Sequence, residues 1–198
     1  MRVGASSRSR GKRTICVRSL LLAATIVAVV AGTSNVSTAY ALEEQPEFVV
    51  KTAFIYNFLK FTQWPNGTFA KADTPIVMCT IGADTYGGAL NVLTSKHIDS
   101  HPVTLERSVP ANALSKCNVI IVDGATPSQA MAEIGPFKTH PVLTIGDGAD
   151  FAAAGGMIGL VNVDRQVRFQ INVNAVHSSG LSISSQLLKI AILLDEPR

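Results

Sequence analysis

From Pro46 to Gln63 the apolar residues Phe48, Val49, Val50, Ala53, Phe54, Ile55, Phe58, Leu59 and Phe61 recur mostly three or four positions apart, with Lys51, Asn57 and Lys60 on the remaining face. That spacing predicts a long amphipathic helix. Pro46 suits its first turn, Glu47 complements the positive end of the helix dipole, and Trp64-Pro65-Asn66-Gly67 stops it. Beyond this point the period changes. Short runs rich in Val and Ile follow at Ile76 to Ile81, Val103 to Leu105, Val119 to Val122, Val142 to Ile145, Ile158 to Val163 and Val167 to Val173, and they read as six strands. Several are apolar at nearly every position, the pattern of strands covered on both faces. Helical candidates lie between them at Tyr86 to Leu93, Ser128 to Ile134 and Asp150 to Ala154. The last two runs are separated only by Asp164-Arg165-Gln166, which predicts an antiparallel hairpin and hence a mixed sheet. A final helix from Ser184 to Leu194, capped by Ser184 or Ser185, presents Leu187, Leu188, Ile190, Ala191 and Leu194 to the core. The fold class is therefore α/β: one compact domain, a mixed sheet of about six strands flanked by helices.

Charge sharpens this picture at one end. The chain carries 17 Lys+Arg against 14 Asp+Glu, yet Arg2, Arg8, Arg10, Lys12, Arg13 and Arg18 all precede residue 19 and the first acid is Glu43. A run from Leu20 to Ala31, apolar except for Thr25, follows, and then a small-residue site at Ala39-Tyr40-Ala41. This is the layout of a cleaved signal peptide, too short in its apolar run for a membrane-spanning helix. Cleavage after Ala41 would leave residues 42–198 with a net charge of −3 and the basic residues scattered. Such a chain has no electrostatic footprint for nucleic acid and inserts into no membrane.

Export changes how the cysteines read. Cys16 leaves with the leader, while Cys79 and Cys117 reach an oxidising compartment where thiols tend to pair. A Cys79–Cys117 disulfide is the expectation, with two separately buried thiols as the alternative.

No catalytic signature accompanies these features. After residue 41, G-x-S-x-G, S-x-x-K, H-E-x-x-H and C-x-x-C are missing, and in Gly146-Asp147-Gly148 the third glycine of a dinucleotide fingerprint is replaced by Phe151. His97, Asp99 and His101 have metal-ligand spacing only on a helix, which Ser100 and Pro102 oppose, so the histidines read as solvated loop residues. Asp150 reads as the cap of the following turn rather than a calcium ligand, and Ser178, Ser179 and Ser184 as turn and cap residues rather than nucleophiles for His177. No cofactor is indicated, and the residues by themselves describe a secreted binding or regulatory module.

Several segments taken in order carry a resemblance further. The helix text Lys51-Thr-Ala-Phe54-Ile-Tyr56-Asn57-Phe58-Leu-Lys-Phe61-Thr-Gln-Trp64-Pro65, the strand holding Cys79, the segment after Cys117, Gly155-Gly-Met-Ile, Val167-Arg168-Phe169-x-Ile-Asn172 and Gly180-Leu-x-Ile-Ser-Ser185 together resemble the YfiR family of periplasmic proteins. The resemblance implies a non-enzymatic α/β repressor, often a homodimer, whose partner is the periplasmic sensory domain of an inner-membrane diguanylate cyclase of the YfiN type. Release of that partner would raise cyclic-di-GMP and favour biofilm growth. Phe54, Tyr56, Asn57, Phe58, Phe61, Trp64, Pro65, Arg168, Phe169 and Asn172 are then the family-motif positions, structural or interfacial. The resemblance also aligns Cys79 and Cys117 with one cysteine pair of the best-known member, whose second pair has no counterpart around Gly155 to Val163. The competing function is a small-molecule-binding periplasmic domain serving another envelope sensor or a transport system.

Overall fold

The computed structural model describes residues 46–194 with the exception of Asp84; the expected leader, residues 1–41, lies outside the described residues. Helix α1 (Glu47–Phe61) runs directly into a short strand β1 (Thr62–Gln63). Next come β2 (Ile76–Gly82), a 3₁₀ segment at Gly87–Ser95, the hairpin β3 (His97–Ile98) and β4 (His101–Glu106), a 3₁₀ segment at Ala111–Lys116, and β5 (Val119–Asp123). Helix α2 (Pro127–Ile134) leads to β6 (Leu143–Asp147), and α3 (Ala149–Ala153) leads to β7 (Ile158–Val163) and β8 (Gln166–Asn172). The chain closes with α4 (Val173–Ser178), β9 (Ser182–Ile183), α5 (Ser185–Leu188) and β10 (Ile192–Leu194).

Eight strands form one mixed sheet in the order β10-β8-β7-β6-β5-β2-β4-β3, and β1 pairs with β9 in a separate two-stranded ribbon. The sheet is parallel from β4 through β2, β5 and β6 to β7, and antiparallel at the β7–β8 hairpin, as the short Asp164-Arg165 turn requires. Asp164 and Arg165 both have positive φ, the backbone that a two-residue hairpin turn demands. After β2 the chain first steps outward to β4 and then returns past β2 to β5, β6 and β7. A crossover has one allowed hand, so reversing direction moves the connection to the other side of the sheet. Leu90 and Leu93 of the first 3₁₀ segment accordingly join α1 in one apolar layer with Met78, Val119, Ile121 and Ile145. Leu114, Ala130, Ile134 and Phe151 form the opposite layer with Cys79, Ile81, Ile120 and Val122. Alternate residues of the same strands serve the two layers, which is why these runs are apolar throughout.

Backbones crowd together where the direction reverses. Gly82 ends β2 with φ 92°, and a Cβ there would stand 1.9 Å from the carbonyl oxygen of Asp123, the last residue of β5. Only glycine fits that approach.

The outer parts of the chain depart from the sequence reading. The C-terminal helix expected over Ser184 to Leu194 is a single turn capped by Ser184, after which the chain extends as β10 beside β8. Val173 opens a helix, α4, instead of ending a strand, because the Asn172 side chain accepts a hydrogen bond from the Ala175 backbone N–H and caps it. His97 and His101 lie on strands β3 and β4 rather than in a loop. Asp150 does not cap α3: Gly148, at φ 100°, is the N-cap and Asp150 sits in the first turn. Helix α2 begins one residue early with a capping box in which Thr126 and Gln129 exchange bonds.

Candidate functional site

The side chains that the resemblance singles out divide between core and surface. Phe58 is fully buried and packs 4.9 Å, ring to ring, from Phe169 on β8. Phe54, half-buried, completes the cluster at 5.3 Å from Phe169 and 6.1 Å from Phe58. Arg168, one position from Phe169, is exposed, and its guanidinium donates to the Gln166 side chain. Trp64 sits apart from that cluster, edge-on to Phe69, while Pro65 accepts from the backbone N–H and the hydroxyl of Thr68 in an exposed turn. Phe61 lies under Lys60 at the end of α1. Asn172 caps α4 and also donates to the Ala152 carbonyl, a structural role.

Lys51 is the residue that sequence reasoning misplaced. Rather than facing solvent it is 97% buried on the core stripe of α1, in line with Ile55, Phe58 and Leu59, its Nζ held 2.5 Å from both Glu47 and Asp147. Asp147 ends β6, and Asn162 at the end of β7 donates to Glu47, so one ammonium and one carboxylate fasten α1 to the carboxyl ends of two strands. Burial opposes the charge on Lys51, but the hydrogen bonds to Asp147 and Glu47 outweigh it and hold the ammonium above its ordinary pKa. Glu47 is lowered, first by its bond to Lys51 and then by Asn162. Next to this cluster Tyr86 is pushed upward by burial and by the charges of Asp147, Asp123 and Glu47. Asp123, buried at the end of β5, accepts from the N–H and hydroxyl of Thr85 and so anchors the loop that follows β2. The one signal available in sequence was the four-residue step from Glu47 to Lys51 and onward to Ile55.

Replacing Lys51 with Met tests the clamp. Asp147 and Glu47 are partly exposed and can be resolvated, so the loss is expected at about 2 kcal/mol, below that of a fully buried pair. The pH dependence identifies the cause. A lowered carboxylate adds stability above its unfolded pKa that is lost as pH falls through its folded value, so the acid limb of the wild-type stability curve is expected to flatten in Lys51→Met. Urea unfolding between pH 3 and 7 measures both effects, and an unchanged acid limb would show that Lys51 does not hold Glu47.

The opposite flank of α1 is open. Val49, Thr52, Ala53 and Tyr56 form one wall of a groove of about 560 Å³ whose other wall is Gly88, Ala89, Val92 and Leu93 of the 3₁₀ segment, with Lys96 at its end. Val49 is 46% exposed and Val92 54%, large apolar groups left in water side by side. The groove carries apolar and small side chains and one cation, so it has the composition of a docking surface rather than of a reactive centre.

A family profile described as YfiR/HmsC-like matches residues 48–192, from Phe48 in α1 to Ile192 in β10. The chain belongs to that family. The YfiR/HmsC-like region thus spans the sheet as far as the first residue of β10, both apolar layers and the groove, and it includes both cysteines.

The cysteines are joined. Cys79 of β2 and Cys117, two residues before β5, are disulfide-bonded with their Cα atoms 5.9 Å apart, tying two neighbouring strands. Both are buried in the layer opposite α1, so the bond and the groove lie on different faces of the sheet. Gly146 has its own explanation within this YfiR/HmsC-like domain: the Phe151 ring lies where its Cβ would stand, at 2.3 Å, so the glycine accommodates an aromatic rather than a cofactor. Among the described residues no three His, Cys, Asp or Glu side chains come together as a metal set, and no helix is long and apolar enough to cross a membrane.

Proposed function

We propose that the protein is a periplasmic regulator that binds, as a homodimer, the periplasmic sensory domain of an inner-membrane diguanylate cyclase and holds the enzyme inactive, so limiting cyclic-di-GMP and biofilm formation. Family membership supports the class of partner, and the exposed apolar groove between α1 and the 3₁₀ segment carries the docking role. A repressor needs a surface that binds reversibly and favours one state of its partner. Groups such as Val49 and Val92, already exposed in the free protein, can supply that binding without unfolding anything.

Deletion of the protein in a cell that retains the cyclase is expected to raise cyclic-di-GMP, and an unchanged level would overturn the regulatory role. In vitro, sedimentation of the purified protein with the cyclase's periplasmic domain is expected to show a complex containing two copies of each. Val92→Asp puts a charge into the groove and is expected to weaken that complex at least about tenfold, the equivalent of 1.4 kcal/mol. Its unfolding midpoint should stay at the wild-type value, since Val92 is exposed. Wild-type binding by this variant would exclude the groove as the docking surface.

A further inference from the structure

Three steps in the chain place a glycine directly after an Asn or Asp: Asn66-Gly67, Asp123-Gly124 and Asp147-Gly148. Such a step is chemically reactive. With no Cβ in the way, the glycine nitrogen can reach the side-chain carbonyl carbon of the residue before it and close a five-membered ring. Closure needs a side chain and a peptide nitrogen that can both move.

Two of the three are locked. The Asp147 carboxylate is held 2.5 Å from Lys51 Nζ, and the Gly148 N–H donates to the Leu160 carbonyl at 2.7 Å. Asp123 is buried and accepts from the N–H and hydroxyl of Thr85, while Gly124 packs against Ala83. Asn66-Gly67 differs in each respect. Both residues are exposed, and no described residue hydrogen-bonds the Asn66 side chain or the Gly67 N–H. Gly67 has φ 90°, and a Cβ built on it would meet nothing within 4 Å, so the space around it is open. The turn is closed by Thr68, whose N–H and hydroxyl both donate to the Pro65 carbonyl, at 3.2 and 2.8 Å. Its two central residues are left unbonded, and an exposed turn held at one oxygen opens at little cost, which lets the Gly67 nitrogen swing onto Asn66 Cγ.

We propose that Asn66 is a site of self-modification in the folded protein, deamidating through a succinimide. The Gly67 nitrogen bonds to Asn66 Cγ, the Cγ–Nδ2 bond breaks, and ammonia leaves with the proton that the Gly67 nitrogen gives up. Water then opens the ring. Cleaving the new bond yields aspartate; cleaving the original peptide bond yields isoaspartate, in which the main chain runs through the side-chain carbon. One water is consumed and one ammonia released, with no change of oxidation state and no enzyme. Either product sets a carboxylate in a turn that had none, and isoaspartate also lengthens the main chain between Pro65 and Thr68. Trp64 and Phe69, whose rings meet 5.8 Å apart, flank that turn, so the change reaches the aromatic contact beyond α1. The site is separate from the groove on α1 and does not depend on the identity of the protein partner.

The test is a time course of the purified folded protein in warm, mildly alkaline buffer, read by peptide mass spectrometry beside a sample reduced and unfolded in guanidinium chloride. Asn66 is expected to convert in the folded protein within about tenfold of its rate in the unfolded one, since opening an exposed turn costs no more than that. Asp123 and Asp147 should form isoaspartate only in the unfolded sample. The rate at Asn66 should rise with pH, because the attacking species is the deprotonated nitrogen. Asn66→Gln, which would need a six-membered ring, should stay intact and unfold at the wild-type temperature, as its position is exposed and unbonded. Emission from Trp64, the only tryptophan in the chain, should drift with time in the wild type and hold steady in that variant. Asn66 unchanged in the folded protein once the unfolded sample has converted, Asp147 reacting as fast as Asn66 in the folded protein, or a rate indifferent to pH would each overturn the proposal.

Discussion

Breaking the Cys79–Cys117 bond is expected to lower the free energy of unfolding by about 4 kcal/mol, as loop-closure entropy gives for this span. The two cysteines are 38 positions apart, and the bond withholds that loop from the unfolded chain. Little should be lost in the folded state, because both sulfurs sit in an apolar layer where free thiols pack as small hydrophobes. Cys79→Ala, Cys117→Ala and the double variant should therefore cost nearly the same, since either change removes the bond. Urea unfolding with and without reductant is the measurement: the wild type should drop to the level of the double variant on reduction, and the double variant should not respond. A wild-type midpoint indifferent to reductant would mean that the bond contributes nothing to stability. Because the bond faces away from the α1 groove, its loss should change partner affinity only as far as it depletes the folded protein.

Phe58→Ala is expected to be comparably severe, at about 4 kcal/mol, through lost burial and the cavity left between α1 and β8. Phe58 is fully buried and touches both Phe54 and Phe169, so no single neighbour can fill its place. For a domain of this size the thermal midpoint should fall by roughly 10 °C. Phe54→Ala, half-buried in the same cluster, should cost about half as much. These two values separate the core role of the helix motif from any interfacial one. A loss below about 1 kcal/mol for Phe58→Ala would place the aromatic stripe outside the cooperative core.

The elements that were legible in the sequence are those whose pattern is set by burial on two sides. The Val- and Ile-rich runs that became β2, β5, β6 and β7 needed no tertiary information to read as central strands, and α1 and the β7–β8 hairpin followed from spacing and turn length. Where the structure differed, a distant partner decided. Ile192-Leu193-Leu194 fits the last turn of a helix as well as a strand, and the free edge of β8 draws it into parallel pairing. The two-residue strands β1, β3 and β9 are too short to show any period. Lys51 looked solvated because lysine normally is; only the two carboxylates waiting at the ends of the helix turn and β6 make its burial affordable. The groove was invisible because it depends on which flank of α1 the 3₁₀ segment leaves uncovered.

The β1–β9 ribbon has a consequence for how this protein comes into being. Thr62 pairs with Ile183 and Gln63 with Ser182, so the segment just after the first helix is completed by nearly the last part of the chain. At ordinary rates of synthesis roughly 10 s separate the emergence of those two segments. For most of that interval the aromatic side of α1 has no Phe169 to pack on, and for all of it no closing ribbon, which makes late truncations far more damaging than their few lost contacts suggest.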